Sequence, residues 1–311
     1  RGPMVAVRKL LPGDVDAVVS RIVQQITDDA TSKQLINPDF SRDHLRDALA
    51  SSRALTWVAF RENQLVGHIY GALLENETYG PSVWIGPDGV SYDDIQTLDA
   101  LYSVAGQDWI NEGAREHYVW TLDDPRATGA WLELGFAKMH RRGVMRLREG
   151  VHVLDDRYRL RHGTIDDLDL AIYLDDELEH AQTEGPSFSI GLSKASQRDE
   201  WIETLSDPDT QHFVVDFNGS GVGQCVTFPL PEQRSSFDAT IHLSAVVVLA
   251  PHRERGVARA MVDTALNDAR GRGFRYAATN WRVTNRRAAH FWTNYGFEPT
   301  YVRLHRTISS F

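Results

Sequence analysis

Apolar residues recur along this chain in two rhythms. Val5-Ala-Val-Arg8, Trp57-Val-Ala-Phe60 and Leu65-Val-Gly67-His-Ile-Tyr70 are short runs rich in β-branched and aromatic residues, set apart by polar segments. Such runs predict strands, and the polar Arg-Glu-Asn turn between the last two predicts a hairpin. Later, Tyr158-Arg-Leu-Arg161 precedes Asp166 and Asp167. Phe213-Val-Val-Asp216, an Asn-Gly turn and Val222-Gly223-Gln-Cys-Val-Thr then predict a second hairpin. Near the end, Ser244-Ala-Val-Val-Val-Leu-Ala-Pro251 predicts a strand closed by proline. Val257 to Arg270 has the spacing of an amphipathic helix, and Tyr276 to Val283 reads as another strand.

The pattern repeats. Asp124-Pro-Arg-Ala127, Trp131, Gly135 and Phe136 match Asn285-Arg-Arg-Ala288, Trp292, Gly296 and Phe297 at identical spacing. The strand-turn-helix starts and the hairpins correspond in the same order, which predicts a duplication. Each half reads strand, helix or helices, two or three antiparallel strands, helix, strand, helix, strand. The expected fold class is α+β: two tandem domains, each a mixed, mostly antiparallel sheet flanked by helices. The polar stretch Arg148 to Asp156 marks the boundary, giving expected domains at 4–150 and 151–311, with Arg1–Pro3 left out of the fold reading.

The bulk numbers narrow the function classes. Of 311 residues, 42% are apolar and 24% charged, as in a soluble globular protein of about two domains. A net charge of -10 argues against nucleic acid as the main ligand. No apolar run approaches a membrane span, so no membrane association is expected. Cys225 stands alone and no signal peptide is legible, so the expected location is cytoplasmic. The twelve histidines are scattered without metal-ligand spacing, so no metal site is expected.

Against this acidic background, Arg253-Glu254-Arg255-Gly256-Val257-Ala258 stands out. It joins the proline-ended strand to a helix start. Unpaired backbone N–H groups and the helix dipole favour an anion there, and Gly256 lets the backbone approach a phosphate. A plain surface turn is the alternative.

Arg253-x-x-Gly256-x-Ala258 resembles the acetyl-CoA loop, Q/R-x-x-G-x-G/A, of the GNAT acetyltransferase superfamily. Asn285-x-x-Ala288-x-x-x-Trp292-x-x-x-Gly296-Phe297 is similar to the motif that follows it in that family. The two cover residues 241–297, and the repeat carries the likeness into the first half, as in tandem GNAT proteins of the mycothiol synthase type. The architecture is implied and the substrate is not.

The resemblance implies an N-acetyltransferase using acetyl-CoA as acyl donor and a small-molecule amine as acceptor. A non-catalytic acyl-CoA sensor or scaffold is the alternative. It implies that the backbone of Val247, Val248 and Leu249 pairs with the pantetheine arm, and that Arg253, Glu254, Arg255, Gly256, Val257 and Ala258 hold the pyrophosphate. Asn285 would bind the pantetheine or acetyl end, cap its helix, or do both. Trp292 occupies the place of the family's usual tyrosine acid, at the cofactor. An indole is a very poor acid, so Tyr295, three residues on, is the candidate proton donor to the leaving thiolate. His242, early on the strand, is the candidate base, directly or through water; Asp238 and Glu184 are weaker ones. Gly185 to Phe188 and Glu75 to Gly80 read as loops that could cover the site. The first half lacks the glycine loop, carries Asp88, Asp93 and Asp94 in that region and has Asp124 in place of Asn285, so it reads as a degenerate copy. Acceptor identity, acyl length and oligomeric state stay open.

Overall fold

The computed structural model describes residues 4–39, 41–52, 55–76, 79–151, 153–189, 196–230 and 237–309. They form two compact units. The first runs to Arg141 and takes in Pro299–Phe311; the second holds Arg142–Gln233 and Phe237–Glu298.

Unit 1 begins with β1 (Ala6–Lys9), α1 (Val15–Ser32) and α2 (Arg42–Ser51). Next come β2 (Thr56–Arg61), β3 (Gln64–Tyr70), β4 (Ala72–Asn76), β5 (Gly80–Ile85) and β6 (Val90–Tyr92). It continues through α3 (Ile95–Asn111), β7 (Glu116–Leu122), α4 (Pro125–Glu133) and the start of β8 (Ala137–Arg146). One sheet has the order β1-β2-β3-β6. A second set of strands begins β4-β5-β7, with β5 and β7 parallel over four residue pairs. α1 buries Val18, Val19, Ile22 and Ile26, the i, i+4 stripe that its apolar spacing dictates. The β2–β3 hairpin turns on Glu62 and Asn63 at φ 50° and 64°, the left-handed pair that a two-residue hairpin needs.

Unit 2 takes the end of β8, then β9 (Tyr158–His162), α5 (Leu168–Thr183), α6 (Gln197–Ser206), β10 (Gln211–Phe217) and β11 (Ser220–Pro229). β12 (Thr240–Val248), α7 (Val257–Gly271), β13 (Tyr276–Arg282) and α8 (Arg286–Tyr295) follow, with strand order β13-β12-β11-β10-β9. The Asn218-Gly219 turn has both residues at positive φ, as its sequence requires. Its core gathers Phe213, Cys225, Leu243, Met261, Leu266, Trp281, Trp292 and Phe297. Burial pushes the Cys225 thiol pKa up, so this cysteine is an inert packing residue.

The repeat is visible in side-chain bonds. Arg8 donates to Asp14 at 2.6 Å, and Arg161 donates to Asp167 at 2.8 Å, each pair six residues apart. Asp124 and Asn285 each accept from the amide of the alanine three residues on, at 3.0 Å. The expected halves differ from the units in their last strand. β14 (Glu298–Thr307) comes from the second half of the sequence but pairs antiparallel with β7 in unit 1, Tyr301 facing Leu122. Sheet pairing of this kind is long-range and leaves no local signal. No helix among the described residues is long and apolar enough to cross a membrane.

Candidate functional site

The site is built on β12. Along one edge β12 pairs with β11, but Gln224 faces Val247 while Val226 faces Ser244, so Ala245 and Val246 stand against Cys225 alone. This is a β-bulge, with Ala245 at φ 48°. Along the other edge β12 runs parallel to β13 only from Thr240 to His242, opposite Tyr276 to Ala278. Thr279 Oγ1 donates to the Leu243 carbonyl at 2.9 Å where this pairing ends. Past that point the strands form a fork. Its walls carry backbone N–H and C=O groups that an extended ligand can pair with, in the manner of an added strand. Val247 and Val248 are buried at the end of β12, and Leu249 follows directly.

The loop after β12 turns through a 3-10 segment, Ala250–His252, and reaches α7. Glu254 and Gly256 take φ 61° and 79°. Gly256 is the N-cap of α7, no side chain caps that helix, and its first turn holds no acid. The amides from Val257 and Ala258 onward are therefore those of an open helix N-terminus, with the positive end of the dipole behind them. Arg253 is half-buried and its Nε donates to the Val248 carbonyl at 2.8 Å, which fixes the guanidinium beside the fork. Burial and then the neighbouring Arg287 charge lower its pKa, while Glu177 and Glu184 oppose that shift. Two arginines thus sit close enough to feel each other, as suits a diphosphate or another multiply charged anion. Glu254 and Arg255 point into solvent.

Asn285 caps α8 through Oδ1, leaving its NH2 group free for another acceptor. Ser187 Oγ lies 3.0 Å from Thr284 Oγ1, and Arg282 Nε donates to Gln182 Oε1 at 2.7 Å. The Gly185 to Phe188 segment is thereby brought to the end of β13, next to Asn285. Trp281 is buried in the core, whereas the next residue of β13, Arg282, keeps its side chain partly exposed.

Two expectations meet contrary geometry. Tyr295 is only 5% exposed, and its hydroxyl donates to Asp263 Oδ1 on α7 at 2.5 Å. Burial, then that bond, push its pKa well above the ordinary phenol value. A tyrosine held this way ties α8 to α7 and is a poor acid for a thiolate. Tyr295→Phe should cost about 1–3 kcal/mol of stability by stranding the Asp263 carboxyl, and leave turnover unchanged; thermal unfolding and steady-state rates read both. Trp292 likewise packs edge-on against Phe291 and Phe297 within the core, and acts on the fork by holding α8 in place. The helical spacing that joined these two residues marks the buried face of α8.

His242 sits on β12 at the last pair before the fork, its ring 5.0 Å from that of Phe228. Burial and then Arg142 push its pKa down to about 4. It is neutral at neutral pH and a weak base. The bulge at Ala245, the Thr279 bond and the electrostatic partners Glu177 and Arg287 carry no sequence motif. The Arg253–Arg287 proximity alone had a signal, in the Arg286-Arg287 pair at the start of α8.

In unit 1 the equivalent helix start is closed. Asp94 is the N-cap of α3, accepts from Thr97 N at 2.9 Å and pairs with Arg61 at 2.8 Å. These contacts hold its pKa at about 2, so a carboxylate fills the place an anion would need.

Residues 176–297 match the model of the Acetyltransferase (GNAT) family. No curated protein matches the sequence. Among solved structures, a GCN5-related N-acetyltransferase from Sphaerobacter thermophilus is similar with a TM-score of 0.63 at 16% identity, over 98% of this chain and 96% of that one. A tandem GNAT protein from the clavulanic acid biosynthesis pathway gives a TM-score of 0.55 at 14% identity, over 99% of this chain and all of that one. At such identity these likenesses establish the fold over the full length, and the family match speaks for residues 176–297. The chain has the tandem GNAT fold, and residues 176–297 match the GNAT acetyltransferase family, whose general chemistry is acyl transfer.

Proposed function

We propose that the protein transfers the acetyl group of acetyl-CoA to a primary amine of a small molecule, with unit 2 holding the donor. The observation that supports this most is the juxtaposition of the β12–β13 fork with the uncapped N-terminus of α7. An extended pantetheine fits the fork and a diphosphate fits the loop. The amine nitrogen attacks the thioester carbonyl, the N–C bond forms and the C–S bond breaks. The ammonium proton leaves to a base or water, and the thiolate takes a proton from solvent, which a fairly acidic thiol needs only weakly. Amides near the bulge are suited to stabilise the oxyanion.

In this reading His242, or a water it holds, takes the amine proton. His242→Gln should lower turnover by about 100-fold and remove an acid limb that falls near pH 4, as a general base of that strength requires. Unchanged turnover and an unchanged pH profile would refute the assignment. Release of the CoA thiol, followed with a thiol reagent across an amine panel, tests the reaction itself.

A second reading is an acyl-CoA sensor or scaffold. The buried Trp292, the Asp263-bound Tyr295 and the weakly basic His242 favour it. Acetyl-CoA binding with no thiol release for any amine would select it.

A further inference from the structure

Unit 1 contains a cavity of about 410 Å³, within the size range of small-molecule sites. It opens where β5 and β7 stop pairing, at Ile85 and Val119. It is lined by the next residues of β7, by Val90 to Tyr92 on β6 and by the start of α4. In unit 2 the corresponding place is the fork. The two places differ in charge. Unit 2 offers an open helix N-terminus and two arginines, whereas in unit 1 that helix is capped by Asp94 and the cavity wall holds Asp28, Asp29, Asp93 and Asp124.

We propose that this cavity is a binding site for an organic monocation, a primary ammonium on an apolar body, with Asp29 as its charge partner and Tyr92, Trp120 and Tyr301 as its walls. Of the two arginines in the wall, Arg21 is used up: it pairs with Asp93 at 2.6 Å and donates to Ser91 and to the carbonyls of Leu65 and Val66. Arg126 is exposed. That leaves Asp28, Asp29 and Asp124 against one solvated cation. Asp124 spends Oδ1 on the amides of Arg126 and Ala127, and Asp28 accepts from Gln24 at 2.9 Å. Among the described residues, the Asp29 carboxylate accepts only from the Tyr301 hydroxyl, at 3.4 Å. Burial first, with Asp124 and Asp28 adding to it, raises its pKa to about 6. A carboxylate under that stress gains most from an incoming ammonium, and aromatic faces favour a cation beside them. An acyl-CoA carries its own negative charges and is repelled by the same residues.

The full chain is titrated calorimetrically near neutral pH with benzylammonium, 2-phenylethylammonium and tryptammonium, and with the uncharged 2-phenylethanol. Saturable binding of at least one ammonium is expected, with none for the alcohol. Asp29→Asn should weaken that binding at least tenfold while leaving acetyl-CoA binding unchanged, which shows the variant folded. Arg253→Glu should leave the ammonium isotherm unchanged, separating this cavity from unit 2. Acidification through the Asp29 titration should weaken binding: of the other groups facing the cavity, Asp28 is held by Gln24, Asp93 by Arg21 and Asp124 by the amides of α4, while Arg126, Tyr92 and Tyr301 bring no negative charge. Binding that survives Asp29→Asn, equal binding of the alcohol, loss of the isotherm in Arg253→Glu, or no binding by any of the three ammonium ions overturns the proposal.

Discussion

Arg253→Glu should weaken acetyl-CoA binding by at least about 100-fold, roughly 2.7 kcal/mol. The size of the effect follows from where the side chain sits. Its Nε is committed to the Val248 carbonyl, so the remaining guanidinium N–H groups are aimed and immobilised at no further entropic cost when a diphosphate arrives. Glutamate removes that attraction. It also places a third carboxylate beside Glu177 and Glu184, whose charges already reach position 253. The repulsion then acts on a ligand lodged against a helix N-terminus, in a half-buried setting where salt screens poorly. Arg253→Gln should fall between the two. The change in thermal shift with acetyl-CoA reads the effect directly, and a full shift in Arg253→Glu contradicts the loop assignment.

Mild acid should destabilise unit 1 well above the pH at which carboxylates titrate. His68 is fully buried; burial, then Arg21, hold its pKa down at about 3. Its Nδ1 lies 2.7 Å from Ser91 Oγ and its Nε2 3.1 Å from the Asp88 carbonyl, so the neutral ring accepts from one and donates to the other. His117 is equally buried, bonded to the Tyr102 hydroxyl at 2.8 Å; burial, then Arg306, hold its pKa at about 4. Both lie below the ordinary value of 6.5. Between about pH 6.5 and pH 4 the unfolded chain binds protons that the folded chain refuses, so stability is present above that window and lost as pH falls through it. At about pH 5 each histidine costs about 2 kcal/mol. Asp29 acts in the opposite sense: its raised pKa lets the folded state take up a proton first, returning about 1.4 kcal/mol at the same pH. The net loss of about 2–3 kcal/mol corresponds to a fall in Tm of about 5–10 °C for a unit of this size. Thermal unfolding followed from neutral pH down to about pH 5 tests it. A flat Tm over that range means that these rings titrate normally.

Residues whose identity carries a conformational demand were readable from sequence. Gly256 at φ 79° and the Asn218-Gly219 turn do in the structure what only such residues do cheaply, and Asn285 caps α8 because its side chain is the right length to reach Ala288 N. The repeat was readable for the same reason, since Asp124 and Asn285 hold equivalent caps. The bulge was not. Ala245 has no preference for a left-handed φ, and its conformation is imposed by the register between β11 and β12. Periodicity placed Trp292 and Tyr295 on one face of α8 but carried no information on what that face meets, which is Asp263 and the core. The weak basicity of His242 comes first from its burial and then from Arg142, a hundred positions away in sequence, and no local pattern encodes either. The placement of β14 in unit 1 is equally non-local.

The measurement closest to the central claim is a calorimetric titration of the full chain with acetyl-CoA. One donor site per chain is expected, competed by free coenzyme A and lost on Arg253→Glu. No measurable heat with any coenzyme A thioester, or a site that ignores the charge at position 253, contradicts a donor held between the β12–β13 fork and the open end of α7.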